Sequence, residues 1–370
     1  MTDPRATYLD WNATAPVLPE VAAAMAEALA RCGNPSSVHR WGRATRRAVE
    51  EARLDVAALV GAAPQDILFT SGGTEANQTA LRGFDRRVLV SAIEHDSVRA
   101  VPGATVIPVT GDGQVDLGAL DRMLAAETRP ALVSIMLANN ETGVIQPVAE
   151  AARIAKKHGA LFHSDAVQAA GRLPLSTAAL GADLLTLSAH KIGGPQGVGA
   201  LVVRPDLDLA PLIAGGGQER GRRAGTENVA GIVGFGIAAR QAARHIDNQA
   251  RIARLRDEAE RRLLALAPDA QVFGAPVPRV ANTLCLSMPR VPAATQIMAL
   301  DLAGVMVSAG AACSSGKLRR SPVLEAMGVA EADADCAIRI SLGWSTEAAD
   351  IDHLVEAWGA LYQRTRAKAA

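Results

Sequence analysis

Short runs of apolar residues recur through the first half of the chain, and each run ends at a polar or glycine-rich segment. Such runs are typical of buried strands, because a strand that is covered on both faces needs no polar alternation. The stretch 41–60 instead has the amphipathic pattern of a helix, and Gly61 follows it. The predicted strands are 67–70, 87–91, 132–137, 160–165, 183–187 and 198–203, and the predicted helices are 19–30, 41–60 and 147–157, with another helix beginning at 74.

Alternation of strands and helices predicts a doubly wound α/β fold, in which functional residues gather at the carboxyl ends of the strands. The stretch 230–266 is rich in Ala, Arg and Glu, and we predict a long helical stretch that joins this α/β part to a C-terminal part. The remaining predicted elements are short strands at 7–10, 283–288, 305–308 and 337–341 and a helix at 351–364. We therefore predict a large domain over 16–250 and a small domain made of 1–15 and 251–370.

A lysine follows one of these apolar runs and leads into a tight bend. Ser188, His190 and Lys191 lie between two predicted strands, at the start of a glycine-rich turn. A single loop lysine is usually a solvated surface residue. The preceding strand, however, ends on Asp165, and a pyridoxal phosphate enzyme needs both a lysine that binds the cofactor covalently and an acid beside the pyridine nitrogen. The occurrence of both Lys191 and Asp165 favours a lysine side chain that points inward, where burial and His190 disfavour its charged form.

The turn after strand 67–70 is a candidate phosphate site. It reads Ser71-Gly72-Gly73-Thr74 and is followed directly by a helix. Free backbone N–H groups and the positive end of a helix face an anion in such a turn. Most glycine turns before helices bind nothing, but the position of this turn before the aspartate and lysine motifs favours the phosphate of pyridoxal phosphate. The absence of a GxGxxG motif after the first strand disfavours a nicotinamide cofactor.

Three long motifs carry a resemblance to a known family: HSDAVQ at 163–168, SAHKIGGPQGVGAL at 188–201 and SAGAACSSGKL at 308–318. The sequence resembles the pyridoxal phosphate-dependent class V aminotransferase family and, within it, the NifS/IscS-type cysteine desulfurases. The resemblance implies the fold-type I architecture, with a mostly parallel seven-stranded sheet between helices and a smaller α+β domain. It also implies removal of sulfur from L-cysteine, which gives L-alanine and a persulfide on Cys313 for a sulfur-acceptor protein such as an iron–sulfur scaffold.

The resemblance further implies roles for individual residues, including a stacking and proton-transfer role for His95. In the family, the threonine of the GGGxERGxRxGT segment reaches the cofactor phosphate of the neighbouring subunit, so a homodimer is expected; the alternative is that this part of the chain only caps a helix. The implied catalytic residues are Lys191, Cys313 and His95. The implied cofactor-binding residues are Gly73, Thr74, His95, Asn140, Asp165, Gln168, Ser188, His190, Lys191 and Thr226, and the implied substrate-binding residues are Asn12, Asn140 and Arg339.

Cys313 lies among small residues and is followed by three basic ones, Lys317, Arg319 and Arg320. Small residues cannot hold a loop in a core, so we expect this segment to move. The nearby cations favour the thiolate form of Cys313. The alternative is a structural cysteine, which would be buried and unreactive. The other three cysteines have no such surroundings and are interpreted as structural.

Arg339 lies inside the alternating strand 337–341. An arginine there is costly unless it meets an anion. By resemblance that anion is the substrate α-carboxylate, and the alternative is an internal ion pair with a carboxylate of the protein.

The bulk composition limits the possible partners. The 38 basic and 38 acidic residues cancel, which predicts neither a nucleic-acid nor a membrane-surface partner. The four cysteines are too far apart in sequence for a metal site and indicate a reduced compartment. Residues 1–10 have no apolar core typical of a signal peptide, so a cytoplasmic location is expected.

Two other functions stay open at this point. A selenocysteine lyase or another class V aminotransferase would use the same lysine and aspartate, but would not need a cysteine in a mobile loop. A non-catalytic interaction subunit with the same fold is disfavoured by the intact Lys191, Asp165, Gln168, His95 and Arg339. The basic segment after Cys313, and the short stretch of chain after the helix 351–364, leave the identity of the sulfur acceptor open.

Overall fold

The computed structural model of the protein describes residues 6–310 and 320–367. Cys313, Lys317 and Arg319 lie outside the described residues. The strands of the described part are β1 (Thr7–Tyr8), β2 (Ile67–Thr70), β3 (Arg87–Ser91), β4 (Thr105–Ile107), β5 (Ala131–Ser134), β6 (Leu161–Asp165), β7 (Leu184–Ser188), β8 (Gly199–Val203), β9 (Thr283–Ser287), β10 (Val305–Met306), β11 (Ser308–Ala309) and β12 (Ala337–Ser341).

The helices range from single turns to twenty residues. They are α1 (Pro19–Ala30), α2 (Arg40–Leu59), α3 (Gly73–Arg82), α4 (Asp96–Arg99), α5 (Leu117–Ala126), α6 (Val148–Lys157), α7 (Thr177–Leu180), α8 (Val229–His245), α9 (Gln249–Leu266), α10 (Ala293–Leu302), α11 (Pro322–Ala326), α12 (Glu331–Ala334) and α13 (Ala348–Ala367). No helix of the described part is both long and apolar enough to cross a membrane.

The larger sheet has seven strands in the order β2-β8-β7-β6-β5-β3-β4. Strand β8 runs antiparallel to both of its neighbours, and the other adjacent strands are parallel. The predicted mostly parallel seven-stranded sheet is therefore confirmed. The sequence left the direction of β8 open, and the structure resolves it as the second arm of a hairpin that pairs Ser188 with Gly199.

Helices cover both faces of this sheet. Successive residues of a strand point to opposite faces, so each strand contributes side chains to both layers of helices. In β2, Phe69 packs into the core shared with α1, α2 and α8, and Leu68 packs into a second core with residues of α3. All residues of β5, β6, β7 and β8 are buried, as expected for strands covered on both faces.

The stretch 230–266 is helical, as predicted, but it is divided into two α-helices. A short 3₁₀ segment, Ile246–Asn248, separates α8 from α9. The division follows from packing: α8 buries Ala238 and Ala242 against the core of the large sheet, whereas α9 buries Ile252 and Leu263 in a different core around the small sheet. One straight helix cannot reach both cores. Strand β4 and helix α5 were not predicted from the sequence.

The small sheet has the order β11-β12-β9 and is antiparallel. Next to it, β1 pairs in parallel with β10, and Asp10 forms a bridge with Ser341 at the end of β12. From there the chain crosses to the large sheet, where the Ala15 N–H donates to the His190 carbonyl at 2.8 Å. Residues 7–15 thus link the small sheet to the carboxyl end of β7.

Candidate active site

Lys191 lies one short 3₁₀ turn beyond the carboxyl end of β7 and points into the protein. Its Nζ donates to the carbonyl oxygens of Asn12 at 2.6 Å and Ala13 at 2.7 Å. It is not the fully solvated hairpin lysine of the alternative interpretation. Two carbonyl acceptors hold the amine at a fixed place.

His190 precedes this lysine and is largely buried. Burial, and then the adjacent Lys191 charge, lower the pKa of His190 to about 4. Its Nδ1 lies 3.3 Å from the Thr14 hydroxyl. The imidazole is therefore neutral at pH 7 and adds no positive charge beside the lysine.

The predicted phosphate turn forms as expected from its sequence. Gly72 has a φ of +156°, and a Cβ built on it would meet nothing within 4 Å. Across the sheet, a Cβ on Gly199 would lie 2.6 Å from the Gly72 carbonyl carbon, so β8 needs glycine at that position. The first N–H groups of α3 lack intrahelical acceptors and open to a cavity of about 390 Å³. That cavity is lined by Ala13, Thr14, Ser71, Gly72, Gly73, Thr74, Glu75, Ser188, His190, Gln196 and Gly197.

Asp165 ends β6 and is buried with both carboxylate oxygens engaged. Oδ1 accepts from the Val167 N–H at 2.9 Å, and Oδ2 accepts from Asn77 Nδ2 at 2.8 Å. Asn77 Nδ2 also donates to the Ser97 hydroxyl at 2.9 Å. The Oδ1 of Asn77 is buried and has no hydrogen-bond partner within the described residues. Sequence reasoning missed Asn77, although its position one turn after Thr74 on α3 is a usable signal.

His95 belongs to the same hydrogen-bond chain. Its Nδ1 accepts from the Ser97 N–H at 3.1 Å and lies 2.8 Å from the Ser97 hydroxyl. Because a backbone N–H can only donate, Nδ1 carries no proton, and in the neutral ring the proton lies on Nε2. His95 also caps the short helix α4. His95 therefore has a structural role as a helix cap, and its Nε2 carries the donor hydrogen of the neutral ring.

Gln168 connects the aspartate turn to the lysine. Its Nε2 donates to the Asn12 carbonyl at 3.0 Å, the same oxygen that accepts from Lys191. On its other side, Arg172 Nη1 donates to the Gln168 carbonyl at 3.1 Å and to its Oε1. Arg172 was not predicted as a site residue.

The Asn12 side chain forms hydrogen bonds with other residues of the protein. Its Nδ2 donates to the Asn140 carbonyl at 3.1 Å and to the Thr283 hydroxyl at 2.9 Å, and its Oδ1 accepts from Asn282 at 3.0 Å. Substrate contact by Asn12 stays a prediction. What the structure shows is that Asn12 positions Lys191 and Gln168 through its backbone carbonyl.

Arg339 is buried in β12 and makes the internal ion pair that the sequence left as the alternative. Nη2 donates to Asp10 Oδ1 at 2.7 Å, and Nη1 donates to the Asn140 carbonyl at 3.1 Å. Its Nε is buried and has no partner within 6–310 and 320–367. One N–H of the guanidinium therefore still lacks an acceptor.

Thr226 is exposed at the end of the 215–226 segment and does not cap α8. Asn228 is the N-cap, and its Oδ1 accepts from the Gly231 N–H at 3.1 Å. Thr226 lines a cavity of about 130 Å³ that shares Ser71 and Gly197 with the phosphate-turn cavity of the same chain. Reach across a subunit interface stays a prediction.

Two ion pairs hold this segment in place. Arg53 makes a buried bidentate pair with Glu219, at 2.9 Å from Nη1 and 2.8 Å from Nη2, and Arg223 pairs with Glu75 at 2.9 Å. Glu219 and Arg220 have φ values of +45° and +59°, a left-handed conformation that is unfavourable for such residues. The ion pairs offset this strain and fix the segment beside the phosphate turn.

Glu94 lies behind His95 and is completely enclosed. Its Oε1 accepts from the Ser91 hydroxyl at 2.6 Å and the Met136 N–H at 2.7 Å, while Oε2 has no partner in the described part of the chain. Burial raises the pKa of Glu94 to about 8. The carboxyl is thus mostly protonated at pH 7.

Glu94→Gln should stabilise the protein at alkaline pH. The unfolded chain ionises this carboxyl near pH 4.5, so the folded state loses stability as the pH rises from there through 8. Glutamine keeps the acceptor oxygen and carries no charge to desolvate, so we expect the free energy of unfolding to rise by about 2 kcal/mol at pH 8. No gain is expected at pH 5. Urea unfolding at both pH values measures this, with the exposed Glu150→Gln as control; equal effects at both pH values would contradict the assignment.

The chain matches the family described as aminotransferase class V over residues 7–354. The chain belongs to the class V aminotransferase family. A cysteine desulfurase of Cereibacter sphaeroides is 46% identical, over 97% of this chain and 96% of that protein. The cysteine desulfurase IscS of Dictyoglomus turgidum is 40% identical, over 98% of this chain and 96% of that protein.

Solved structures agree with this membership. A NifS-like protein from Rickettsia africae superposes with a TM-score of 0.90 at 38% identity, over 97% of this chain and 99% of that chain. The structure of SspA in complex with cysteine superposes with a TM-score of 0.78 at 29% identity, over 91% of this chain and 98% of that chain. For this class V aminotransferase family member, the resemblance to NifS/IscS-type proteins and the fold class predicted from the motifs are confirmed. The roles of single residues and the domain limits stay predictions.

Proposed function

We propose that the protein is a cysteine desulfurase that uses pyridoxal phosphate. The observation that carries the proposal is the convergence of three groups from distant parts of the chain. Lys191 and Asp165 lie at adjacent strand ends, and Arg339 enters from the small sheet. Arg339 is connected to Lys191 through Asn140 and Asn12. Convergence of a lysine, a ring-nitrogen acid and a carboxylate-binding arginine is what an amino-acid-converting enzyme of this type needs.

The residues present fit the cofactor. The open N–H groups of Gly73 and Thr74, with Ser188 and His190 beside them, would hold its phosphate, and Lys191 would hold its aldehyde carbon. Asp165 would face the pyridine nitrogen with an oxygen that Asn77 keeps oriented. When bound, pyridoxal phosphate supplies an electron-accepting ring. His95 would stack on that ring, with Gln168 and Asn140 at its edge.

The substrate would be held by its α-carboxylate. Arg339 offers its unpartnered Nε together with the adjacent Nη2 as a two-donor edge. Because Asp10 already accepts from Nη2, the carboxylate shares or replaces this contact. The Asn140 side chain lies beside this edge of the site, since its carbonyl accepts from Arg339.

Proton movement falls to two residues. Lys191 Nζ, once freed, takes the proton from Cα of L-cysteine and returns one to the carbon that becomes the methyl group of alanine. His95 Nε2 is a donor in the neutral ring and is placed for a second transfer, because Ser97 holds the other ring nitrogen.

Sulfur transfer falls to Cys313, which lies outside the described residues. Its thiolate attacks the substrate sulfur, an S–S bond forms and the C–S bond breaks. L-cysteine and the Cys313 thiol thus give L-alanine and a Cys313 persulfide, and no outside oxidant is needed. The charge of Arg320 is not free to assist, since it pairs with Asp335 at 3.2 Å and with Glu331. The persulfide is then passed to an acceptor protein, for which an iron–sulfur scaffold is one candidate.

Mixed dimers test whether Thr226 acts across a subunit interface. We expect Lys191→Ala and Thr226→Ala subunits to restore activity when combined, because one site then contains an intact lysine and the partner's intact threonine. The expected activity after mixing equal amounts is about a quarter of that of wild type, because about half of the dimers are mixed and each of these has one intact site of two. Light scattering establishes the dimer, and alanine formation is measured before and after subunit mixing. Activity no higher than that of the Thr226→Ala protein would place the threonine in its own chain's site and contradict the proposal.

Production of alanine and sulfide from L-cysteine, with a reductant present, tests the function itself. We expect equal amounts of the two products and dependence on added pyridoxal phosphate after the cofactor is removed. Release of alanine without a sulfur-bearing form of the protein would instead indicate a lyase.

A further inference from the structure

Arg172 is a buried cation in the turn that follows β6. Only 8% of its surface is exposed, and its Nη1 donates to the carbonyl and the side-chain oxygen of Gln168. No carboxylate lies within 4 Å of it in the described part of the chain. Burial, and then the charge of Arg339, lower the pKa of Arg172 to about 9. A buried charge without a counter-ion is costly, so its retention calls for a reason beyond packing.

The contacts of Arg172 fix the side-chain amide of Gln168 in one orientation. Oε1 accepts from Arg172, and Nε2 donates to the Asn12 carbonyl at 3.0 Å. In the flipped amide, Nε2 would face the guanidinium donor and Oε1 would face the carbonyl acceptor. Both contacts would then be repulsive.

The same contacts lead to Lys191. The Asn12 carbonyl that receives Gln168 Nε2 also receives Lys191 Nζ at 2.6 Å. Arg172 and Lys191 also line one small cavity of about 40 Å³, together with apolar residues that include Ile192 and Trp344. A cavity of this size holds only one or two water molecules. Water therefore screens the electrostatic interaction between Arg172 and Lys191 only weakly.

The other basic groups around the lysine do not supply an uncompensated positive charge. His190 is neutral at pH 7, and burial lowers the pKa of His245, which lines the small cavity. Arg339 is paired with Asp10, and the Asp165 carboxylate accepts from Asn77 and Val167. Among the described residues, Arg172 donates only to the neutral Gln168.

We propose that Arg172 is a positioning residue whose unpaired charge, acting through the fixed Gln168 amide, keeps the Lys191 nitrogen from holding a proton strongly. A weakly basic amine is easier to deprotonate, as bond formation with the aldehyde carbon of the cofactor would require. The inference rests on the proposed pyridoxal phosphate-dependent function, which identifies Lys191 as the reacting amine.

The test is a pH titration of the visible absorption band of the holoenzyme, which reports protonation of the nitrogen that joins Lys191 to pyridoxal phosphate. Arg172→Met removes the charge and should move the midpoint upward by about one pH unit, as expected for two charges several ångströms apart in a weakly screened interior. Arg172→Lys keeps the charge and should leave the midpoint near that of wild type. If the methionine variant does not fold, Arg172→Gln removes the charge and keeps a donor for Gln168.

A matched control is Arg256→Met. Arg256 is a buried arginine of α9 that donates to Asp257 at 2.7 Å and to the Val280 carbonyl at 3.0 Å, and its loss should leave the midpoint unchanged. An unchanged midpoint in Arg172→Met or Arg172→Gln, with the band present, would overturn the inference. So would an equal upward shift in Arg172→Lys, because charge would then not be the cause. A wild-type protein that shows no band with pyridoxal phosphate would instead contradict the proposed function.

Discussion

Lys191→Ala should bind pyridoxal phosphate without a covalent bond and lose at least about a thousandfold in kcat for alanine formation. The reason is that one amine has two tasks, bonding to the cofactor and moving the Cα proton. The other lysines of the described residues, Lys156 and Lys157, are exposed on α6 and do not line the site. Borohydride reduction followed by peptide mass analysis measures the bond, and a coupled assay measures alanine.

Lys156→Ala is the matched control, since this lysine is exposed on α6. It should keep both the covalent bond and full turnover. A Lys191→Ala protein that still carries cofactor on a reduced peptide, or that turns over at the wild-type rate, would show that Lys191 is not the cofactor lysine.

Cys313→Ser should bind the cofactor and L-cysteine normally and lose sulfide release by at least about a hundredfold. Binding is kept because it depends on Lys191, Asp165 and Arg339. Sulfur transfer is lost because a serine hydroxyl is a far weaker nucleophile toward sulfur than a thiolate at neutral pH. The measurements are sulfide and alanine formation, the spectral change on adding L-cysteine, and a mass gain of one sulfur on the Cys313 peptide.

Cys32→Ser is the control for this substitution, because Cys32 is an exposed free cysteine. It should retain activity and leave the mass gain on Cys313 unchanged. Near-normal turnover by Cys313→Ser would mean that the leaving group departs without help from the protein thiol, and the desulfurase proposal would give way to a lyase.

The sequence predicts the site best where chemistry and local structure coincide. Lys191 and Asp165 follow apolar strands directly, so their placement at neighbouring strand ends follows from the alternation of strands and helices. The phosphate turn is likewise a local feature, in which glycine, a hydroxyl and a helix start occur within four residues.

The contacts that orient these residues could not be predicted in the same way. Asp10 and Arg339 are separated by 329 positions, and Asn77 and Asp165 by 88. No local pattern specifies which carboxylate or amide meets which partner over such distances. Arg172 shows a second limit: an arginine in a turn is normally solvated, and only the packing around it makes it a buried, unpaired charge.

The division between α8 and α9 has a similar cause. Propensity alone favours a continuous helix there, but the two halves serve different hydrophobic cores. Tertiary packing therefore overrides local preference at Ile246–Asn248.

The path of residues 7–15 has a consequence for engineering. This segment pairs with the small sheet through β1, yet its carbonyls at Asn12 and Ala13 supply the acceptors of Lys191. A transplanted or separately expressed fragment that begins after residue 15 would keep Lys191 and lose the two carbonyl acceptors that orient its amine. Any circular permutation or split of the gene that is meant to preserve the site must therefore retain residues 7–15 together with a complete small sheet.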